Sequence, residues 1–289
     1  MIDRLKGITK TKLLNLNGII AMEWQKDAEQ AIRKVPFFVR KKVKARVEKE
    51  ARASGKTFVS LMDVKTTQKR FLSNMDAEIK GFQVDTCFGP QGCPHQISSS
   101  NLPDEIENLL KKENLLGFLR NAVTGDLKFH HEFKVTLSDC PNACSQPQIK
   151  DIGIIGAKAP FVTDNECITC MECVNVCKEN AITIDEDCNK PAIEFQLCVK
   201  CGACIDACPT GTIDVQKQGY RIQLGGKLGR HPRLAKELPG IFSKEEVLKI
   251  VSRCIDYYKI NSQGGERFAE LCAKDDTLFN ELAQDIERL

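Results

Sequence analysis

Cys167-Ile-Thr-Cys170-Met-Glu-Cys173-Val-Asn-Val-Cys177 and Cys198-Val-Lys-Cys201-Gly-Ala-Cys204-Ile-Asp-Ala-Cys208-Pro209 hold eight of the chain's 15 cysteines. Both stretches read C-x2-C-x2-C-x3-C. Thiolates at that spacing are the ligands of [4Fe-4S] cubanes. The competing reading is a pair of structural zinc sites. Zinc, however, takes C-x2-C pairs set apart by a longer stretch. A third cysteine after two further residues, present twice, suits a cube with iron at alternate corners. One departure is Lys178, which follows the fourth cysteine of the first run where Pro209 follows that of the second.

The doubled run resembles the bacterial ferredoxins. That resemblance implies crossed ligation, in which the fourth cysteine of each run serves the other cluster. One cluster would take Cys167, Cys170, Cys173 and Cys208; the other would take Cys198, Cys201, Cys204 and Cys177.

A second constellation stands upstream. Cys87-Phe-Gly-Pro-Gln-Gly-Cys93 and Cys140-Pro-Asn-Ala-Cys144 form C-x5-C and C-x3-C. Neither has the spacing of a zinc finger. Four cysteines in two loops, one directly after the strand-like Lys134-Val-Thr-Leu137, can close around a third cubane. Gly89 and Gly92 let the first loop pass near cluster sulfurs, where backbone N–H groups bond them. The bland alternative is four unrelated buried thiols.

These residues carry a wider resemblance. Lys134-Val-Thr-Leu-Ser-Asp-Cys-Pro-Asn-Ala-Cys-Ser, continuing to Asp151-Ile-Gly-Ile-Ile-Gly, is similar to the sirohaem and [4Fe-4S] motif of nitrite and sulfite reductases. The inserted cysteine runs, followed by Ile222-Gln-Leu-Gly-Gly-Lys227, most resemble the small catalytic subunit of anaerobic sulfite reductase. In that family the last cysteine of the set bridges the cluster to sirohaem iron, and here that residue is Cys144. The resemblance covers roughly residues 80–260.

The first quarter departs from that pattern. Trp24, Val35-Pro-Phe-Phe-Val-Arg40, Val47-Glu48, Ala51-Arg52 and Gly55 resemble the small helical domain ending a subunit of light-independent protochlorophyllide reductase. Residues 1–70 carry 18 Lys and Arg against 7 Asp and Glu, while the rest carries 24 against 32. Such asymmetry suggests an anionic partner or cofactor. Three Tyr and one Trp offer few stacking platforms, so no nucleic-acid partner is expected. Sirohaem's carboxylates would need cations, and Lys65, Lys69 and Arg70 are candidates.

The expected fold class is α+β: a sulfite-reductase-type α/β domain, with an inserted 2[4Fe-4S] ferredoxin domain and a small N-terminal helical domain. The expected domains are 1–75, then 76–160 with 216–289, interrupted by 161–215. Helices are expected over 23–34, from about Pro36 to Ala53, over 103–120 and over 243–259. The last is opened by a Ser243–Glu246 capping box. Strands are expected at 57–61, 134–137, 152–156 and 220–226.

No apolar run is long enough to span a membrane, and no signal segment opens the chain. The cysteine usage fits a reducing, anaerobic cytoplasm. Candidate groups for an oxyanion substrate are Lys227, Arg230 and His95. Cys188, Cys254 and Cys272 read as incidental or core thiols. The expected cofactors are three [4Fe-4S] clusters and, from the resemblance, sirohaem. The expected partner is a low-potential electron donor protein or redox subunit, and an oligomer is compatible. Three functions stay open: a sirohaem oxyanion reductase, an electron-transfer subunit with the clusters alone, and a reductase of another substrate such as a tetrapyrrole.

Overall fold

A computed structural model describes residues 22–35, 37–89, 92–97 and 101–287. Pro36, expected at the first turn of a helix, lies outside them, as do the side chains of Phe37 and Val39. The chain divides between Glu78 and Ile79 into two compact units.

The first unit is helical with one small parallel pairing. Strand β1 (Glu23–Trp24) leads into α1 (Lys26–Arg33), α2 (Phe37–Ala53), β2 (Phe58–Val59) and α3 (Leu61–Glu78). Two sequence expectations shift here. The helix expected at Glu23 starts at Lys26, because Glu23 and Trp24 pair with Phe58 and Val59. The strand expected over 57–61 shrinks to two residues, since Ser60 starts a helix that periodicity alone did not reveal. Asp63 accepts from the Ser60 backbone N–H at 2.9 Å and so satisfies a donor left open at the helix start.

The small core of this unit is Ala28, Val47, Ala51, Val59 and Val64, with Trp24 and Val43 packed on it. Trp24 donates its indole N–H to Glu48 at 3.0 Å. That bond fixes β1 against α2 and satisfies a group that burial would otherwise penalise.

The second unit is built on a five-stranded sheet in the order β3-β4-β5-β8-β9. Strands β3 (Phe82–Thr86), β4 (Phe133–Ser138) and β5 (Ile152–Val162) are mutually parallel. Helices α4 (Leu102–Lys112) and α5 (Leu115–Ala122) cross over between β3 and β4, the connection a parallel pair requires. The single helix expected over 103–120 is divided because Asn114 adopts a left-handed φ of 46° and caps α5 through Gly117 N–H. Ile152, Ile154 and Leu137 are buried along the central strands, as expected of a sheet covered on both faces.

Between β5 and β8 lie α6 (Glu172–Val176), the hairpin of β6 (Ile182–Asp185) and β7 (Lys190–Ile193), and α7 (Ala203–Ala207). Strand β8 (Ile213–Leu224) then returns antiparallel to β5, from Val162↔Ile213 to Ile152↔Leu224. The two strands are far longer than the segments expected at 152–156 and 220–226. They form one extended hairpin, and the eight-cysteine segment is the connection at its tip.

Strand β9 (Lys236–Glu237) closes the sheet. Helices α8 (Lys244–Asn261), α9 (Phe268–Lys274) and α10 (Thr277–Glu287) complete the unit. The Ser243–Glu246 capping box is present as expected. Tyr258 of α8 and Phe268 of α9 pack on Phe133 of β4, with ring centroids 5.5 and 5.3 Å away. The mixed helices and sheet make the fold α+β.

Candidate metal centres

Strands β3 and β4 run side by side in the same direction, so the loops that follow them leave the same end of the sheet. One loop carries Cys87 and Cys93, and the other carries Cys140 and Cys144. Cys87 is fixed by two backbone donors, Gly89 N–H and Asp139 N–H, each 3.3 Å from its Sγ. Burial raises the pKa of the Cys140 thiol, and the nearby thiols Cys93, Cys144 and Cys87 add to that rise. The other three expected partners are thus near enough to act on the Cys140 thiol. Cys144 is the exposed member and accepts from Asn142 Nδ2 at 2.9 Å.

Sequence reading passed over Asp139. Its carboxyl is buried between Ser138 and the Cys140 loop, and burial raises its pKa. Gly89 lies so close that a Cβ there would fall 1.9 Å from Asp139 Oδ2. The signal available in the sequence was its place, next to a cysteine at the end of a buried strand.

The eight-cysteine segment forms two further sets. Burial raises Cys173, with Cys208, Cys167 and Cys170 contributing. Burial pushes Cys204 up to about 12, with Cys198, Cys201 and Cys177 contributing. Each group thus contains three thiols of one run and the last thiol of the other. The arrangement is pseudo-symmetric. Short helices α6 and α7 begin after Met171 and Gly202, both left-handed, with φ of 64° and 77°. Thr169 N–H bonds Cys167 Sγ at 3.4 Å. Ala181 N–H reaches Cys177 at 3.3 Å, and Ile213 N–H reaches Cys208 at 3.4 Å.

Among the described residues no three His, Cys, Asp or Glu side chains converge closely enough to hold a single metal ion. The thiols stand in sets of four, near enough to feel one another's charge. All-thiol donor sets with backbone N–H groups aimed at sulfur are the chemistry that iron–sulfur clusters use.

Other candidate residues are scattered. Lys227 Nζ is 2.9 Å from Glu270 in an ion pair. Arg230 and His95 are exposed. The loop bearing Lys227 and Arg230 packs on the segment that follows Cys144: Gly226 N–H donates to Lys150 O at 2.9 Å and Ala235 N–H to Gln148 O at 2.8 Å. Leu228 and Leu234 project from that loop, 59% and 69% exposed.

In the first unit, Lys65 and Lys69 are exposed on α3 and Arg70 pairs with Glu50. Arg40 holds the turn between α1 and α2 by donating to Arg33 O and Val35 O. Cys188 is exposed, Cys254 is fully buried and Cys272 is half-buried. No helix among the described residues is long and apolar enough to cross a membrane.

The chain is similar to several known proteins. Residues 24–67 match the family described as proto-chlorophyllide reductase 57 kD subunit. Coenzyme F420-dependent sulfite reductase of Methanocaldococcus jannaschii is 38% identical over 128 residues, 44% of this chain and 20% of that protein. A subunit of the anaerobic sulfite reductase of Salmonella typhimurium is 35% identical over 52 residues, 18% of this chain and 15% of that protein. The chain thus matches no more than a fifth of the length of either relative. A crystal structure of dissimilatory sulfite reductase I overlaps 78% of this chain and 57% of its own, at 14% identity and a TM-score of 0.45. Residues 107–274, more than half of the chain and including ten of the twelve clustered thiols, match the nitrite and sulphite reductase 4Fe-4S domain, and the chain belongs to that family of iron–sulfur oxidoreductases.

Proposed function

We propose that this chain is a reductase subunit of the sulfite and nitrite type, holding three [4Fe-4S] clusters and sharing Cys144 with sirohaem. The observation that carries the reading is the crossed grouping of thiols: Cys208 stands with Cys167, Cys170 and Cys173, and Cys177 with Cys198, Cys201 and Cys204. The set of Cys87, Cys93, Cys140 and Cys144 supports the third cluster. When bound, the clusters supply one-electron carriers and sirohaem supplies an iron at which an oxyanion is reduced.

The chain's own part is to hold and tune these groups. Backbone N–H donors at Cys87, Cys167, Cys177 and Cys208 stabilise thiolate charge. Asn142 orients the exposed Cys144 sulfur. The exposed Leu228 and Leu234, flanked by Arg230, suit a flat group that is apolar in its ring and anionic at its rim. Lys227, Arg230 and His95 are the proposed groups for holding the oxyanion and supplying protons. Lys65, Lys69 and Arg70 are the proposed cations for an anionic partner or cofactor. We place the protein in an anaerobic cytoplasm, and the likeness to part of an anaerobic sulfite reductase supports that setting.

The test is an anaerobic preparation, made with a working sirohaem pathway and assayed for iron, acid-labile sulfide and visible absorption. The reading expects about twelve cluster irons per chain plus a tetrapyrrole band. Saturation near eight removes the third cluster. Full iron without any tetrapyrrole transfers the chain to electron-transfer duty alone.

A further inference from the structure

Lys227 and Arg230 belong to one small closed loop. Lys227 N–H donates to Arg233 O and Arg233 N–H donates to Lys227 O, each at 2.9 Å. That pair of bonds is a neck. The residues it encloses, Leu228, Gly229, Arg230, His231 and Pro232, are all exposed. They bury little surface of their own, so the direction of the loop is set at the neck.

The neck is held by the first turn of α9. Lys227 Nζ lies 2.9 Å from Glu270 Oε1, and the lysine side chain is only 14% exposed. Arg233 Nη1 donates to Ala269 O at 3.4 Å. Glu270 Oε2 accepts from Arg267 N–H at 3.1 Å, so the carboxylate is fixed through both oxygens. Arg267 Nη2 in turn stands 3.6 Å from Asp151 Oδ1. Asp151 is buried just before β5 and accepts from Lys134 N–H of β4 at 2.9 Å. A line of contacts thus runs from the central strands through Asp151, Arg267 and Glu270 to the Lys227 ammonium.

Burial alone would raise the Glu270 carboxyl. The bonds from Lys227 and from Arg267 N–H outweigh it and hold its pKa below the ordinary value. An ion pair between two fully exposed side chains contributes little. Here the lysine is sheltered, and without its carboxylate the ammonium must turn out toward water.

Resting on the reading of Lys227 and Arg230 as oxyanion groups, we propose that Glu270 is a positioning residue of that site: it holds the Lys227 ammonium, and through the neck the Arg230 loop, in the arrangement that a sulfite-like oxyanion meets. Glu270 touches no substrate. It acts through Lys227, and Asp151 and Arg267 tie it to the sheet.

The test uses the anaerobic, iron-loaded protein and two readouts. The first is limited digestion with trypsin, which cuts after Lys227, Arg230 and Arg233 only when the loop opens; fragments are followed by mass spectrometry. Glu270→Ala should speed cleavage in the loop about fivefold or more, and Glu270→Gln, which keeps an oxygen for Lys227, should fall between it and wild type. Lys274→Ala removes another ion pair of α9, that with Glu266, and should be cut at the wild-type rate. The second readout is steady-state reduction of sulfite by reduced methyl viologen. Glu270→Ala should raise KM for sulfite about tenfold and change kcat by less than about threefold, the split expected when a binding group is misplaced.

The proposal is overturned if Glu270→Ala is digested like wild type, if Lys274→Ala loosens the loop equally, or if the loop loosens while KM stays unchanged. A wild type that reduces no sulfite would instead strike the functional reading, and the digestion would still decide whether Glu270 clamps the loop.

Discussion

Replacing Gly156 by alanine tests whether the third thiol set depends on the close approach of two strands. Gly156 pairs with Tyr220 in the middle of β5, and its φ is not among the positive ones, so alanine can adopt the same backbone. The obstacle is space. The new Cβ would stand 2.3 Å from Asp139 O, whereas ordinary contact begins near 3.4 Å. The blocking atom is backbone, so no rotamer change relieves it. Either β5 leaves β4 or Asp139 and Cys140 move outward by about 1 Å. Such overpacking costs about 1–3 kcal/mol, or roughly 2–12 °C in the midpoint of thermal unfolding for a unit of this size. The same movement displaces Cys140, and a thiolate–iron bond cannot stretch to follow. The expected outcome is a folded protein whose iron falls from about twelve toward about eight per chain, with the two clusters of the hairpin tip intact. Anaerobic reconstitution, iron and sulfide counts, and electron paramagnetic resonance of the reduced protein measure it. A Gly156→Ala chain with full iron and an unchanged melting temperature would refute the reasoning.

Two other predictions concern the site and its surroundings. Cys144→Ser should lose the third cluster together with any tetrapyrrole absorption, and leave the Cys167 and Cys198 sets fully loaded; retention of the tetrapyrrole band would remove the shared-thiolate role. His130 and His131 both have lowered pKa values, through burial first and then through Lys128 and Arg267, with His130 itself also acting on His131. The unfolded chain therefore binds more protons just below pH 6.5, and stability falls as pH drops from there through the lowered folded values. Protonation also removes the acceptor that His131 Nδ1 offers to Lys128 N–H at 3.1 Å. Urea midpoints should decline between about pH 7 and 5, and His130→Gln with His131→Gln should flatten that slope; an unaltered slope would place the titrating groups elsewhere.

Much of the cysteine chemistry was legible because spacing dictates it. The C-x2-C-x2-C-x3-C runs marked the residues for iron–sulfur ligation, the crossed sets came from the ferredoxin resemblance, and Cys208 acts on the Cys173 thiol as Cys177 acts on Cys204. The Cys140 loop was legible because Lys134 to Leu137 alternate as a strand and then stop at Ser138-Asp139-Cys140. The β5–β8 hairpin was underestimated. Its tip half carries Lys158, Pro160, Lys217 and Gln218, residues of weak strand preference, and only pairing across the hairpin makes them regular. Helix α3 escaped because its low hydrophobic contrast hides the period, and its start depends on Asp63 folding back on Ser60. The charge balance of residues 1–70 suggested an anionic partner or cofactor, yet in α2 Arg40 is committed to carbonyls and Arg46 to Glu78 and Glu50. Charge counts in a sequence do not say which cations are already spent on the fold.

The hairpin also explains why the inserted eight-cysteine segment need not disturb the sheet that carries it. Strands β5 and β8 pair continuously apart from one register shift at Ala159/Pro160. That shift falls between Lys158, which anchors the Cys198 set, and Thr163, which anchors the tip. A bulge adds local twist and bends the strand pair, so it can turn the tip without breaking the ladder on either side. Cys173 and Cys204, one from each set, share a small core with Ile182 and Ile213. Below the bulge, Arg221 grips Glu237 through Nε and Nη2 with bonds of 2.7 and 2.6 Å and reaches Val199 O through Nη1. Burial pulls the Glu237 carboxyl up, and the Arg221 bonds outweigh it and hold its pKa below the ordinary value. A single guanidinium thus ties β8, β9 and the loop before Cys201 together, and so holds the Cys198 end of the eight-cysteine segment to the sheet.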